Sequence, residues 1–289
     1  QVVHRARSVI YRSILTAIFA REPMATDDSL STALATGPLK VVGRLVDSSN
    51  NALVADLEVA GELRRVVYKP AAGERPLWDF PDGELGRREV AAFHLSASLG
   101  WDQVPLTVWR DEGPAGAGMC QLWIDGGTPD DYISLFAPAA VPADWLAILQ
   151  GVDSVGAEVV LAHADVVELQ RLAVFDYLAN NADRKAGHLI VSEGDGIARL
   201  WAIDHGLTFH TEPKLRTVLW GFAGEELPRT IAIDIASFLE RFGDFERSVS
   251  AHLPDEGLER VNARARELIE VGRFPTPRDD GPAVPWPIF

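Results

Sequence analysis

Residues 166–180 repeat apolar side chains at helical spacing (Val166, Leu169, Leu172, Ala173, Phe175, Leu178), and two apolar runs, 189–192 and 197–203, follow across Glu193-Gly194-Asp195-Gly196. The first pattern predicts a helix and the second a β-hairpin. Between them lies the polar stretch Asn180-Asn181-Ala182-Asp183-Arg184-Lys185-Ala186-Gly187-His188, and the hairpin runs directly into Asp204-His205-Gly206. Two carboxylates and one metal-capable imidazole are thereby carried on a loop and on the strand pair after it. Phosphoryl transfer requires such groups, because its catalysis is mostly positioning and charge neutralisation.

Upstream, residues 39–57 alternate apolar and polar side chains around Asp47-Ser48-Ser49-Asn50-Asn51, which reads as a hairpin tip. Leu63-Arg64-Arg65-Val66-Val67-Tyr68-Lys69 is a further strand, stopped by Pro70. Val90, Ala91, Phe93 and Leu95 predict a helix over 87–99 with a stop at Gly100. Strands are expected over 106–109 and 119–124. The intervening Gly113-Pro114-Ala115-Gly116-Ala117-Gly118 precedes a strand rather than opening a helix, so it is a hairpin loop and not a dinucleotide fingerprint. Beyond Gly127 helices are expected over 143–150, 166–180, 230–242 and 256–271, then an extended proline-rich tail over 275–289 pinned by its aromatics. Strands first and helices later, with one helix among the strands, give an α+β chain in two lobes. The expected division is a sheet lobe over 24–127 and a mostly helical lobe over 128–289 that carries the catalytic hairpin.

Net charge excludes one class of partner. With 42 acidic against 27 basic residues the chain carries −15, which disfavours nucleic acid and broad adhesion to anionic membranes. The lone Cys120 allows no intramolecular disulfide and no multi-cysteine zinc site, which fits a reducing cytoplasm. Residues 1–23 hold Arg5, Arg7, Arg12 and Arg21 against Glu22 and read as a basic extension ahead of Met24, outside the fold. Its apolar run, 13–20, is far shorter than the ~20 residues that cross a bilayer. Only Lys40, Lys69, Lys185 and Lys214 are lysines, which makes each worth inspection, since ammonium and guanidinium differ at a phosphate.

The candidate centre follows from order and spacing. Asp183 and His188 stand five apart, as the catalytic-loop Asp and the metal-binding Asn do in kinases. Asp204, in a D-x-G at the end of the hairpin, is placed to grip metal. Lys69, at a strand end, can reach the α- and β-phosphates, and Glu89 in the next helix can hold it extended. Arg184 and Lys185 are counted with Asp183 and Lys69 as candidate catalytic residues; Lys185 either touches the γ-phosphate or faces water. Asp176 and Asn181 are expected to brace the loop, and His205 to pack beside it.

The runs N-x-D-R-x-x-x-H and A-I-D-H-G-L resemble the catalytic segment of the phosphatidylinositol 3-/4-kinase superfamily, nearest to the type II phosphatidylinositol 4-kinases and a group of actinobacterial kinase-like proteins. The likeness covers residues 39–242 and is most specific over 175–209. It implies a two-lobed protein-kinase-like fold, ATP with Mg²⁺ or Mn²⁺ as cofactors, Asp183 as the catalytic aspartate, Asp204 as the metal aspartate and Lys69 as the ATP lysine. It further implies that Gln121-Leu122-Trp123-Ile124 is the hinge against adenine and that Ser48-Ser49-Asn50-Asn51 is the phosphate-covering turn. His188 departs from the family's Asn: an imidazole ligates Mn²⁺ or Mg²⁺ less ideally than an oxygen does, or serves as a structural histidine with the second metal site lost.

Residues 209–227 occupy the place of an activation loop. There Lys214 and Arg216 are candidates to receive an acidic acceptor, and Trp220 with Phe222 either dock an apolar part of it or pack on the helical lobe. The expected partners are ATP and a hydroxyl-bearing protein, small molecule or inositol lipid. Two other readings stay open: a nucleotide-binding pseudokinase module, and transfer of AMP instead of phosphate.

Overall fold

The computed structural model describes residues 28–45, 51–75, 77, 79–80, 83–194 and 197–289. The basic extension over 1–23 and Ser48, Ser49 and Asn50 of the expected phosphate-covering turn lie outside the described residues.

Five antiparallel strands form the first sheet, in the order β1 (Leu39–Arg44), β2 (Leu53–Val59), β3 (Glu62–Pro70), β5 (Gly118–Leu122), β4 (Thr107–Arg110). Its two faces are covered differently because side chains alternate along each strand. Ala55 and Leu57 of β2, Val66 of β3 and Cys120 of β5 close on Leu34 of helix α1 (Asp28–Thr36), which the sequence reading did not foresee. The opposite face carries Lys69, paired across the strands with Met119. Helix α2 (Leu85–Ser98) lies on that face: a Cβ added to Gly86 would stand 3.1 Å from the Met119 Cβ, so a small residue lets the helix approach. Glu89 follows one turn after Gly86, on the side of α2 that meets Lys69. Leu95 and Leu99 at the far end of α2 join the large core of the remaining chain, locking the helix to both halves.

That large core is built around α3 (Val167–Ala179), whose Leu169, Leu172, Val174, Phe175 and Leu178 are all buried. Glu168, Gln170 and Arg171 keep its first turn toward solvent, and from Leu172 on nearly every side chain is interior. Around it lie α4 (Arg229–Glu240), α5 (Phe242–Val249) and α6 (Asp255–Val271), with the hairpin β9 (Leu189–Gly194) and β10 (Ile197–Ala202).

One element corrects the sequence reading. Residues 143–150, expected to be helical, contribute instead to β7 (Trp145–Val152), in a three-stranded antiparallel sheet of order β6 (Ile133–Phe136), β8 (Glu158–Ala164), β7. The run is short enough to suit either state, and pairing decides it. The Asp153 carboxylate accepts hydrogen bonds from the Val155 and Ala157 N–H groups at 2.9 Å, which folds 153–157 into the turn that returns β8 along β7. The tail is also held differently than expected: Trp286 is 85% exposed, and the anchors are main-chain bonds from Thr217 N–H to the Ala283 carbonyl and from Ala186 N–H to the Ile288 carbonyl.

Candidate active site

Four side chains from four elements meet beside the hairpin. Lys69 Nζ donates to Glu89 Oε1 at 2.7 Å and to Asp204 Oδ1 at 2.9 Å, and His188 Nε2 stands 3.5 Å from Asp204 Oδ2. Register explains the last contact. Leu189 pairs with Ala202, and the Ile203 N–H donates to the His188 carbonyl at 2.9 Å, so the strand that leaves the hairpin sets Asp204 next to the residue that enters it. Asp183 is near enough to Asp204 to feel its charge, and Lys185 Nζ stands 3.1 Å from its Oδ2.

The charges are mutually adjusted. Burial alone would lower the Lys69 pKa, but Asp204 and Glu89 outweigh it and hold the ammonium well above its usual range. Lys69 in turn keeps Asp204 well below the usual carboxylate range, although half of that side chain is open to solvent. Glu89, almost wholly buried, is pushed up to about 7 by desolvation despite Lys69. Burial also raises Asp183, which makes it a stronger base than a surface aspartate. Asp204 adopts a left-handed backbone (φ 60°), a conformation that non-glycine residues rarely take and that clusters at functional sites.

The residues fit a divalent cation. Burial pushes His188 down to about 4, so its imidazole is neutral and keeps a lone pair. Its buried Nδ1 has no hydrogen-bond partner among the described residues, which leaves either tautomer open. Asp204 and His188 would supply one oxygen and one nitrogen; among the described residues no third His, Cys, Asp or Glu completes a cluster. The remaining positions would fall to phosphate oxygens and water, as is usual for Mg²⁺.

Other expected site residues lie elsewhere. Arg184 is completely buried and engaged in the interior: Nε and Nη2 donate to Asp176 at 3.0 to 3.1 Å, Nη1 donates to the Ile203 carbonyl at 3.2 Å, and Nη2 lies 2.7 Å from His205 Nε2. It is a brace for the loop, because an unpaired guanidinium in that interior would be prohibitively desolvated. Gln121 is buried against Thr107 Oγ1, and the N–H groups of Leu122 and Trp123 are engaged by the Leu106 and Arg65 carbonyls. Of the last three expected hinge residues, Ile124 alone has an N–H without a main-chain acceptor among the described residues. Asn51 is exposed and accepts a hydrogen bond from Arg44. Lys214 does not await an acceptor: its Nζ donates to Asp79 Oδ1 at 2.7 Å and lies 3.3 Å from Glu212. Phe222 is core, and Trp220 Nε1 donates to the Ala283 carbonyl.

Asp79 was missed, and so was the importance of Asn180. Asp79 ties the loop before α2 to the segment after Asp204 through Lys214 and through its carbonyl, 3.0 Å from His210 Nε2. Asn180, left-handed at φ 50° where α3 ends, donates to the His210 and Glu212 carbonyls and accepts from the Lys214 N–H. The Asn at a helix end carries a signal for the second. Nothing local marks the first.

Sequence comparison finds a relative that matches nearly throughout: Protein Rv2133c of Mycobacterium tuberculosis is 40% identical over 276 residues, covering 92% of this chain and 98% of that one. The chain belongs to the Rv2133c family. No family model matches it. Among solved structures, the Rv2133c-family chain superposes on the Golgi casein kinase with a TM-score of 0.50 at 14% identity, covering 90% of this chain and 82% of that one. It superposes on Hydra Fam20 with a TM-score of 0.51 at 13% identity, covering 90% and 93%. The two-lobed α+β architecture is therefore a kinase-like fold.

The buried histidines predict an acid-labile fold. His163, accepting from the Gly221 N–H, and His205, beside Arg184, are both held below the usual histidine range by desolvation. His188 and His252 are pushed down to about 4, also chiefly by burial. For each, the unfolded chain binds the proton more readily, so stability is full above about pH 6.5 and is lost as pH falls below it, for His188 and His252 down to about 4, at a rate of at most about 1.4 kcal/mol per pH unit for each group. Glu89, raised to about 7, and Asp183, also raised by burial, act in the opposite sense above their unfolded values, as two groups against these four histidines. Urea unfolding near pH 7 and near pH 5 is expected to show a clear loss at the lower value; equal or greater stability there would contradict the burial argument.

Proposed function

We propose that this protein is an ATP- and metal-dependent phosphotransferase of the phosphatidylinositol-kinase-like class, moving the γ-phosphate to a hydroxyl on a protein, a small molecule or an inositol lipid. The observation that carries the reading is the pairing of the Lys69 ammonium with Glu89 and Asp204, with His188 against the other oxygen of Asp204 and Asp183 near enough to feel the Asp204 charge. Glu89 holds Lys69 extended toward the α- and β-phosphates. Asp204 and His188 are the groups that would hold the cation, which offsets charge on the phosphate oxygens. Asp183 orients the acceptor hydroxyl and takes its proton as the new O–P bond forms and the bond from Pγ to the leaving oxygen of ADP breaks. Lys185, paired with Asp183 at 3.1 Å, would meet the transferred phosphoryl group in this reading.

A second reading, a nucleotide-binding pseudokinase, is favoured by His188 standing where an oxygen ligand is the better match for Mg²⁺. Melting with ATP and Mn²⁺ or Mg²⁺, run beside transfer of labelled γ-phosphate, separates the two. Turnover favouring Mn²⁺, shifted toward Mg²⁺ by His188→Asn, is the expected result. Tight ATP binding with no transfer under either metal would establish the pseudokinase, and a mass increment of AMP on the target would replace phosphoryl by nucleotidyl transfer.

A further inference from the structure

Away from that centre, the end of α3, the segment 211–224, helix α6 and the chain after it enclose a cavity of about 540 Å³. Its lining reverses the sign of the chain as a whole. Among the described residues, Arg260, Arg264, Arg273 and Arg278 share the lining with a single carboxylate, Glu267, in a protein of net charge −15. Glu267 is already engaged by the Tyr177 hydroxyl at 2.9 Å.

Arg264 is the informative member. Its Nε donates to the Leu178 carbonyl at 2.9 Å, while its buried Nη2 has no hydrogen-bond partner among the described residues. Desolvation lowers its pKa only to about 10, so the guanidinium is charged at neutral pH. A buried charged donor left unpaired is costly; Nη2 itself is closed to the cavity, so an anion there would offset the charge of the guanidinium rather than bond that atom. The other three arginines have exposed partners: Arg260 lies 3.5 Å from Glu256, Arg273 lies 3.6 Å from Glu226 and donates to the Gly224 carbonyl, and Arg278 pairs with Asp280. Such surface pairs hold weakly and exchange readily for a ligand. Leu215, Trp220 and Phe274 supply apolar wall, and the volume lies within the range of small-molecule sites.

We propose that this cavity binds an organic anion, a phosphate or carboxylate head held by Arg264 and the surrounding arginines and an apolar body packed on Trp220 and Phe274. Planar guanidinium donors match both heads bidentately. The site shares no residue with the candidate catalytic centre, and its test is independent of whether phosphate is transferred.

Calorimetric titration of the full chain with phenyl phosphate, benzoate, inorganic phosphate and benzyl alcohol tests it. Phenyl phosphate or benzoate is expected to bind with a Kd below about 1 mM, at least about tenfold tighter than benzyl alcohol, and which of the two is tighter identifies the head group. Arg264→Met, which keeps the apolar stem, is expected to weaken that binding at least about tenfold. Should this variant fail to fold, Arg260→Ala/Arg273→Ala, altering only exposed side chains, is expected to weaken it about tenfold as well. Absence of binding by either organic anion, equal binding of benzyl alcohol, or affinity unchanged in the folded variants would overturn the proposal.

Discussion

Asp204→Asn is expected to lower γ-phosphate transfer by on the order of 10³-fold or more while leaving the melting temperature within about 2 °C of the parent. The two halves of that expectation have separate causes. Asparagine tolerates the left-handed backbone that Asp204 adopts at φ 60°, and half of the side chain faces solvent, so little packing is disturbed. What disappears is the negative charge that pairs with Lys69 at 2.9 Å and that would hold the cation with His188. Asp204→Ala should be equally inactive but less stable by about 1 kcal/mol, because alanine pays for the left-handed conformation without a polar group to compensate. Asp183→Ala, which removes the proposed base, is expected to cost about 10² to 10⁴ in rate. Turnover undiminished in Asp204→Asn, with the protein folded, would remove Asp204 from the chemistry and with it the metal assignment.

How far the centre could be read in advance depended on how its residues reach one another. Asp183, His188 and Asp204 are joined by a short loop and a six-residue strand pair, and β periodicity alone returns the end of such a hairpin to its beginning. Their proximity was therefore legible. Lys69 and Glu89 were legible as a strand lysine and a helix glutamate able to hold it, and the two do meet at 2.7 Å; what no local pattern announces is that Gly86 lets α2 settle against Met119 to bring them together. The same distinction explains the failures. Lys214, read as an open cation, is paired with Asp79, 135 residues away in sequence. The strand β7 was read as helix because its partner β8 had not been recognised, and pairing outweighs the propensity of Leu, Ala and Ile. Arg184 looked like a loop charge beside Asp183; its interior position follows only once the chain, leaving α3 through the left-handed Asn180, doubles back over Asp176.

Asp176→Ala should be the most destabilising single change near the site, by about 3 to 5 kcal/mol, although Asp176 touches neither nucleotide nor acceptor in the proposed mechanism. Its carboxylate is inaccessible and accepts from Arg184 Nε and Nη2, from Asn181 Nδ2 at 2.9 Å and from Thr217 Oγ1 at 3.0 Å. One side chain thus joins α3, the loop that carries Asp183 and the segment that follows Asp204. Deleting it strands a guanidinium with no solvent access, and the cost of an uncompensated buried charge exceeds the worth of the pair itself. At roughly 2–4 °C per kcal/mol for a chain of this size, the melting temperature should fall by about 10 °C. The double variant Asp176→Leu/Arg184→Met removes both charges at similar volume and should recover much of that stability, since apolar replacements of buried pairs are often neutral. It should not recover phosphate transfer, because Asn181 and Thr217 lose the carboxylate that fixes them and the Ile203 carbonyl and His205 lose the Arg184 donor. Calorimetric melting of the three proteins beside their transfer rates reads both effects. A double variant as active as the parent would mean that the buried pair sets stability alone and that Asp183 and Asp204 are placed by the surrounding backbone without it.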